Sequence, residues 1–250
     1  MNEKSKLNIL YITNVFYPSY KSEIKELFEE ELAELGHNIY YVFFSNSDSN
    51  KELIKEKKDN NNYFLIDVRN SVVPFRFRKS IELPRIKKVI ENILDNYPID
   101  IIQLRDCYRQ GWILKNIAKK RKIPFCFYLT SLFYNFKTNR INFNMSIRNI
   151  YDFTEGKIEK KLGFYDDIIE SVDMFQPISS SMGDYYREKF PNKKIFPLPM
   201  NAPKKFLNYN NNNNNNIEKN PKSIIYVGQI SYLRDPKFLF KVVKRVKKEE

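Results

Sequence analysis

Two arginines in this sequence follow apolar runs that have the pattern of β-strands, a position from which a cation can neutralise a phosphate. Arg105 comes directly after "DIIQL", and Arg234 lies in the loop after "SIIYVG". Ligands of open α/β sheets bind at the carboxyl ends of the strands, and arginine holds a diphosphate through a bidentate fork of N–H donors. Gly228 lets backbone amides approach a phosphate closely. The pattern favours a phosphate site at Gly228 and Arg234 and a cation at Arg105; the alternative for each arginine is a solvated surface position.

Other kinds of catalytic site find no support in the sequence. The single histidine, His37, follows Gly36 at the end of a predicted helix, where a structural role is expected and the helix C-terminus favours it electrostatically. There is no GxGxxG or Walker pattern, no paired-carboxylate motif and no Cys/His cluster with zinc spacing. We therefore expect no metal and no cofactor. Cys107 and Cys126 are expected to be reduced thiols of a cytoplasmic protein.

Strands and helices alternate in the elements that must position these residues. Apolar runs predict strands at Leu7–Thr13, Asn38–Phe44, Tyr63–Val68, Asp100–Leu104, Pro124–Thr130, Met174–Ile178 and Lys194–Pro199. Apolar residues at helical spacing predict helices at Ser22–Leu35, Leu83–Tyr97, Tyr108–Arg121, Asp152–Ser171 and Ser180–Phe190. Gly36 is expected to end the first helix as a C-cap. This alternation predicts an open parallel α/β sheet with helices on both faces.

The loops after the predicted strands are where a ligand cleft would form. They are Asn14–Lys21, Arg105–Arg109, Thr130–Asn135, Ser179–Ser181 and Gln229–Asp235. Because the carboxyl ends of parallel strands meet at one edge of a sheet, polar residues in these loops are expected to face a common cleft. The candidates for lining it are Asn14, Arg105, Thr130, Ser131 and Ser179.

Composition changes sharply in the last fifth of the chain, and this change predicts the domain organisation. The segment "NYNNNNNNNIEKNP", Asn208–Pro221, has no apolar face to bury and is expected to be disordered. After it comes a further strand, loop and helix. We therefore predict an α/β domain over 1–202, an Asn-rich linker over 203–221 and the truncated start of a second domain over 222–250.

The net charge of +13 has two possible origins. One is the codon usage of an AT-rich genome, which enriches Lys and Asn together; the other is a basic face that binds the phosphates of lipids or a nucleotide. The run Pro74–Lys88 interleaves Phe75 and Phe77 with basic residues. The favoured interpretation is an alternating strand with both rings in the core. The alternatives are an anionic membrane surface and single-stranded nucleic acid.

Neither a membrane span nor a signal peptide is predicted. No run approaches the roughly 18–20 apolar residues of a membrane span, and the N-terminus "MNEKSKLNIL" is charged and short. We expect a cytoplasmic protein, with peripheral association at the inner membrane face as a subsidiary hypothesis.

The order of these segments resembles the family-four glycosyltransferases, which have the GT-B fold of two Rossmann-like domains. "ILYITNVFYPSYKSEIKELFEEELAELGHNIYYVF" is similar to the family's opening strand, loop, helix and "RGHEV" turn. "DIIQLRDCYRQG … IPFCFYLTSLF" is similar to its D-hydrophobic-hydrophobic-H-x-H … GIP … H-G block, and "SVDMFQPISSS" to "ADxVIxxS". "KIFPLPMNAPKKF" is similar to "KIxVIPNGVDxxxF", and "VGQISYLRD" to V-G-R-L-x-x-x-K-G.

The resemblance implies an acceptor-side Rossmann-like domain followed by the start of a donor-binding domain. It implies transfer of a sugar, usually with retention and without a metal, from a nucleotide-sugar to a glycan or lipid-linked acceptor, as in cell-surface glycan or glycolipid synthesis. By position, the family's arginine and lysine that hold the donor diphosphate become Gln229 and Arg234, beside Gly228.

Several positions depart from the family pattern. "PSYKSE" replaces the Gly-Gly loop, Arg105 stands where the family has histidine, and the histidine of the H-G element falls at Thr130 or Ser131. The family's E-x7-E pair has no counterpart up to Glu250, and no catalytic residue is identified. Two alternatives to a transferase therefore stay open: a non-catalytic binding protein of the same fold and, ranked below it, a basic nucleic-acid-binding protein.

Overall fold

Strands and helices alternate in the structure as the apolar pattern predicts. The computed structural model describes residues 6–19, 23–45, 53–67, 83–131, 153–154, 157–158, 160–161, 163–199 and 244–245. The chain divides into two units, Met1–Leu132 with Leu162–Leu207, and Phe133–Lys161 with Asn208–Glu250. The sheet and its helices belong to the first unit. The predicted boundaries at 202, 203–221 and 222–250 lie outside the described residues and stay predictions.

The described part of the first unit contains seven strands and five helices. The strands are β1 (Asn8–Phe16), β2 (Asn38–Ser45), β3 (Leu53–Lys58), β4 (Asn61–Asp67), β5 (Ile101–Arg105), β6 (Phe125–Leu129) and β7 (Met174–Pro177). The helices are α1 (Glu23–Leu32), α2 (Leu83–Asn96), α3 (Tyr108–Arg121), α4 (Phe164–Ser171) and α5 (Ser180–Lys189).

The sheet has the strand order β3-β4-β2-β1-β5-β6-β7. Every pair is parallel except β3 with β4, which are antiparallel. The prediction of an open, Rossmann-like α/β sheet is confirmed, and its parallel character is corrected at this edge. No apolar pattern predicts β3, because "LIKEKK" is mostly charged, which suits a short edge strand that must avoid pairing with other chains.

Helices cover both faces of the sheet. On one face, Ile24 and Phe28 of α1 pack on Tyr11, Tyr41 and other side chains of β1, β2 and β4. On the other face, α2 buries Ile86, Val89, Ile90, Ile93 and Leu94. Helices α3 and α4 lie on this second face, because Gly111 of α3 approaches both Leu104 and Ile168. Successive strand residues point to opposite faces, so the continuous apolar runs of β1 and β2 supply both cores.

Three predicted elements differ from the observed ones. Helix α1 is a π-helix rather than an α-helix, and the side-chain amide of Asn61 donates to its Glu29 carbonyl at 2.9 Å. The predicted helix Asp152–Ser171 is broken at Gly163, whose φ of 62° places it in the left-handed region before α4. The predicted strand Lys194–Pro199 forms only an isolated bridge, between Ile195 and Phe175, because the next ladder bond would need an N–H from Pro177 of β7, which proline lacks.

The first helix ends as predicted. Gly36 has a φ of 88°, which favours glycine, and its N–H donates to the Ala33 carbonyl at 2.9 Å. The next N–H, from His37, donates to the Leu32 carbonyl at 3.0 Å. Gly36 therefore returns the chain from α1 into β2.

Candidate functional site

The strand order reverses between β1 and β5. These strands are parallel neighbours, but the chain leaves β1 toward β2 on one side and leaves β5 toward β6 on the other. In open α/β sheets, such a reversal opens a crevice at the carboxyl ends of the two strands, and ligands bind there. Thr13 and Asn14 of β1 and Arg105 and Asp106 at the end of β5 flank this crevice.

Asp106 organises the carboxyl ends of β5 and β6. Its backbone has a φ of 56°, its N–H donates to the Tyr128 carbonyl at 3.0 Å, and its carboxylate accepts from the Thr130 N–H at 2.7 Å and the Thr130 hydroxyl at 2.5 Å. The Arg105 guanidinium lies 3.3 Å from the same carboxylate, and Arg105 and Asp106 are only 3% and 4% exposed. A buried ion pair with several hydrogen bonds holds its loop in one conformation.

A row of polar side chains crosses the sheet just below this edge. Thr13 is in register with Arg105, Arg105 with Tyr128, and Tyr128 with Gln176, so all four side chains lie on one face. Thr13, Arg105 and Tyr128 are buried. Tyr11 and Thr13 are two residues apart in β1, so this row lies on the same face as the apolar core under α1, nearer the carboxyl edge of the sheet.

Comparisons with known proteins agree with this description of the fold. The sucrose-phosphate synthase of Thermosynechococcus elongatus matches with a TM-score of 0.57 and 13% identity over 80% of this chain and 49% of that chain. A shorter form of it matches with a TM-score of 0.52 and 12% identity over 81% of this chain and 94% of that chain. The apo UGT2 of Phytolacca americana matches with a TM-score of 0.50 and 8% identity over 82% of this chain and 54% of that chain.

The described sheet has the Rossmann-like fold of one GT-B half. At such low identities the likeness shows the fold alone. The chain spans about half the length of the full-length structures that it matches. No protein-family model matches the sequence, and neither does any curated protein.

The GT-B-type sheet brings together some of the predicted site residues. Arg105 is the last residue of β5 and reaches Thr130 through Asp106, and Ser131 follows, half-buried. Arg105 is therefore a buried, ion-paired side chain and not the solvated surface arginine that the sequence left open. Asn14 lies within β1, which extends to Phe16, rather than in a loop, and is half-buried.

Ser179 takes a structural part at the same end of the sheet. It is exposed, and its hydroxyl accepts a hydrogen bond from the Met182 N–H at 3.2 Å as the N-cap of α5. Such a cap satisfies one of the unpaired N–H groups at a helix start. The remaining predicted site residues, Gly228, Gln229 and Arg234, lie outside the described residues. So does the run Pro74–Lys88 up to Glu82, whereas its last residues, from Leu83, begin α2.

Asp106 was missed by the sequence reasoning. The only sequence feature that points to Asp106 is its position directly after Arg105 in "LRDC". A carboxylate next to an arginine at the end of a strand can form an ion pair with it. That an aspartate would adopt positive φ and turn back onto Thr130 depends on the pairing of β5 with β6, which no local pattern reveals.

The single histidine has the structural role expected of it. The Nδ1 of His37 accepts a hydrogen bond from the Leu7 N–H at 3.0 Å, which ties the start of β1 to the turn after α1. Across the part of the chain that the structure describes, no three His, Cys, Asp or Glu side chains are grouped so that they could hold a metal ion. Nor does any helix in that part have the length and apolar character to cross a membrane.

A carboxylate and three tyrosines meet on the α1 face. The Tyr63 ring lies 5.0 Å from both the Tyr17 and the Tyr41 rings, and Glu29 of α1 lies beside them. The pKa of Glu29 is raised to about 7, chiefly by burial; Lys25 and Lys58 oppose the rise and Glu30 adds to it. Burial and the Glu29 charge likewise raise the pKa of Tyr41 and Tyr63.

Proposed function

We propose that this chain is the acceptor-side half of a glycosyltransferase that moves a sugar from a nucleotide-sugar to a glycan or lipid-linked acceptor. The observation that carries the proposal is the Arg105–Asp106–Thr130 cluster at the strand-order reversal of a Rossmann-like sheet. This reversal is where such sheets bind ligands, and a sugar acceptor needs hydroxyl and carboxylate partners there. The neighbouring structures whose fold it shares include one titled as a sucrose-phosphate synthase.

The described residues supply recognition of the acceptor in this proposal. Asp106 holds the Thr130 hydroxyl as a donor, so the oxygen of Thr130 points a fixed lone pair toward an incoming hydroxyl. Asn14 and Ser131 add polar groups on either side of the crevice. Positioned partners of this kind act mainly by holding the acceptor oxygen at attacking distance from the sugar.

The donor would be bound by the segment 222–250. Gly228, Gln229 and Arg234 would contact the diphosphate, whose departure as a charged leaving group is the main electrostatic demand of sugar transfer.

Cell-surface glycan or glycolipid synthesis is the role proposed for the product. Contact with an anionic membrane is part of that role, and flotation with phosphatidylglycerol vesicles at low salt tests it; protein left in the bottom fraction would remove it.

The test is turnover by the chain once a donor-binding half accompanies it, on the same polypeptide or added separately. Release of nucleoside diphosphate from UDP-, GDP- and ADP-sugars should require an added acceptor. Asp106→Asn should lower kcat by about a hundredfold while the far-ultraviolet circular dichroism stays unchanged. A folded two-half protein that releases nucleoside diphosphate from none of these donors would contradict the proposal.

A non-catalytic binding protein of the same fold is the second candidate. The observation that favours it is the burial of Arg105, which stands where the resembled family has histidine and is engaged by Asp106. Saturable binding of a nucleotide-sugar without any turnover, in a protein that contains both halves, would support this candidate against the first.

A further inference from the structure

A groove lies between α3 and α4, at the end of the sheet away from the Asp106 cluster. It encloses about 570 Å³, and Phe125, the first residue of β6, forms part of its floor. The walls carry Lys115, Asn116, Lys119 and Lys122 from α3 and its C-terminal turn, and Glu170 and Asp173 from the end of α4. The groove is therefore separate from the carboxyl edge, where the proposed transfer takes place.

Two aromatic rings, one from α3 and one from α4, lie nearer the carboxyl edge than the groove. Trp112 is half exposed, and its ring lies 6.1 Å from that of Phe164, edge to face at 83°. Trp112 precedes Asn116 by one helical turn, so the two side chains share one side of α3. Phe164 lies three residues before Asp167 on α4, and the Asp167 carboxylate forms an ion pair with Lys115 of α3. An exposed indole thus lies one helical turn from Asn116 of the groove wall.

The walls of the groove are tied in place by hydrogen bonds. The Asp173 carboxylate accepts from the Phe125 N–H at 2.8 Å. The Lys193 ammonium donates to the carbonyls of Glu170 and Val172 at 2.7 and 2.6 Å, which satisfies the C-terminal end of α4. A groove whose polar walls are fixed before binding loses less entropy when a ligand enters.

The charge of the groove differs from that of the whole chain. The chain has a net charge of +13, but the lysines at the groove (Lys115, Lys119, Lys122 and Lys193) stand among the carboxylates of Asp167, Glu170 and Asp173. Lysine, asparagine and carboxylate groups together offer many donors and acceptors with almost no net charge. Such a surface does not attract a polyanion, so it suits a neutral, hydroxyl-rich ligand better than nucleic acid or an anionic membrane.

We propose that the groove between α3 and α4 is a binding site for a neutral saccharide chain, distinct from the catalytic edge. One sugar ring would pack its C–H face on Trp112, and the following rings would hydrogen-bond to Asn116, Lys119 and Glu170. Trp112 and Lys119 are two helical turns apart, about 10 Å, which accommodates a short oligosaccharide. The assignment of a saccharide rests on the proposed function, since a transferase that extends a glycan gains from holding the acceptor at a second point.

The sole tryptophan makes the proposal directly testable, because Trp112 accounts for all indole emission of the chain. The 250-residue chain is titrated with malto-, cello- and chitohexaose while emission is recorded. At least one should shift the emission to shorter wavelength in a saturable way, with a Kd of roughly 10 μM to 1 mM. Asn116→Ala, which keeps the reporter, should weaken that binding by about tenfold.

Calorimetric titration of Trp112→Ala completes the experiment, with Tyr185→Ala as the matched control. Tyr185 is equally exposed but lies on α5, so its removal should leave the affinity unchanged. The proposal fails if no hexasaccharide changes the emission, if Asn116→Ala leaves the affinity intact, or if emission shifts with protein concentration alone, which would assign the face to a second copy. Hexasaccharide binding without sugar transfer would contradict only the proposed function. Sugar transfer without hexasaccharide binding would contradict only the assignment of the groove as a saccharide site.

Discussion

The carboxylate of Asp106 accepts both hydrogen-bond donors of Thr130, the backbone N–H at 2.7 Å and the hydroxyl at 2.5 Å. The two residues stand at the carboxyl ends of neighbouring strands, so this pair joins the loops after β5 and β6 at the place where the strand order reverses. Asp106 also lies 3.3 Å from buried Arg105. One carboxylate thus fixes the shape of the proposed acceptor edge.

Replacing this carboxylate should destabilise the fold strongly. Asp106→Ala removes the acceptor of Thr130 and the carboxylate beside buried Arg105, which should cost about 3 kcal/mol in the free energy of unfolding. Asp106→Asn keeps an acceptor oxygen and tolerates positive φ, so its cost should be about 1–2 kcal/mol. Urea unfolding measures both. Asp184→Asn, in an exposed pair with Arg187 on α5, should change stability by less than about 0.5 kcal/mol.

A double-mutant cycle that combines Asp106→Ala with Thr130→Val tests whether the two residues stabilise the fold through each other or independently. If Asp106 acts through Thr130, the two losses should overlap, with a coupling of about 1 kcal/mol or more. Valine keeps the backbone N–H bond to Asp106, so additive losses would show that the Thr130 hydroxyl bond contributes nothing to stability.

Much of the fold could be predicted from the sequence because its signals are local. The apolar runs of β1 and β2 predict strands, and the helical spacing of apolar residues in α2 predicts a helix. Each pattern also indicates which residues are buried. Gly36 marks the first helix end through its own backbone. Strand β3 gave no such signal, since its charged residues gain their extended form only from pairing with β4. The π-helix α1 likewise accepts a hydrogen bond from a residue distant in sequence, since the side-chain amide of Asn61 donates to its Glu29 carbonyl.

The candidate site was predicted in part for the same reason. Arg105 and Thr130 follow apolar runs, so the topology of an open sheet places both at one edge. The partner that unites them, Asp106, is specified by strand register and by a left-handed backbone, neither of which is visible in "LRDC". The row from Thr13 to Gln176 requires the register of four strands and could not be foreseen from any one of them.

Gly111 is the closest approach of α3 to the sheet. A Cβ placed there would lie 2.8 Å from the Leu104 Cδ2 and 3.1 Å from the Ile168 Cδ1. Gly111→Val should therefore overpack this layer and cost about 1–3 kcal/mol, seen as a lower urea midpoint. Gly111→Ala should cost less, because alanine gains about 1 kcal/mol over glycine in a helix. Valine is also a better helix former than glycine, so helix propensity cannot account for a loss at Gly111→Val, and an unchanged urea midpoint would contradict the close packing of Gly111.

Both cysteines should resist modification in the folded chain. Cys107 and Cys126 are 2% and 4% exposed, and burial together with Asp173 raises the pKa of Cys126 to about 11. Because the thiolate is the reacting species, Ellman's reagent at pH 8 should label native protein only as fast as it opens, and both thiols at once in guanidinium. Ser131→Cys, half-buried at the carboxyl edge, should react rapidly in the native state. Rapid labelling of the unaltered protein would contradict the burial of these thiols.

Glu29 should make stability depend on pH near neutrality. Burial beside Tyr41 and Tyr63 raises its pKa from 4.5 to about 7, so the folded chain holds this proton more tightly than the unfolded one. Its contribution is therefore fully present below about pH 4.5 and is lost as the pH rises through about 7. Solvent screening of this half-buried group limits the effect to about 1 kcal/mol.

Glu29→Gln, which stays neutral, should have the same free energy of unfolding in urea as the unaltered chain at pH 4.5 and a higher one at pH 8. Glu34→Gln, exposed two residues after α1, is the control; an equal gain there, or a gain from Glu29→Gln that is the same at both pH values, would show that burial of Glu29 is not the cause.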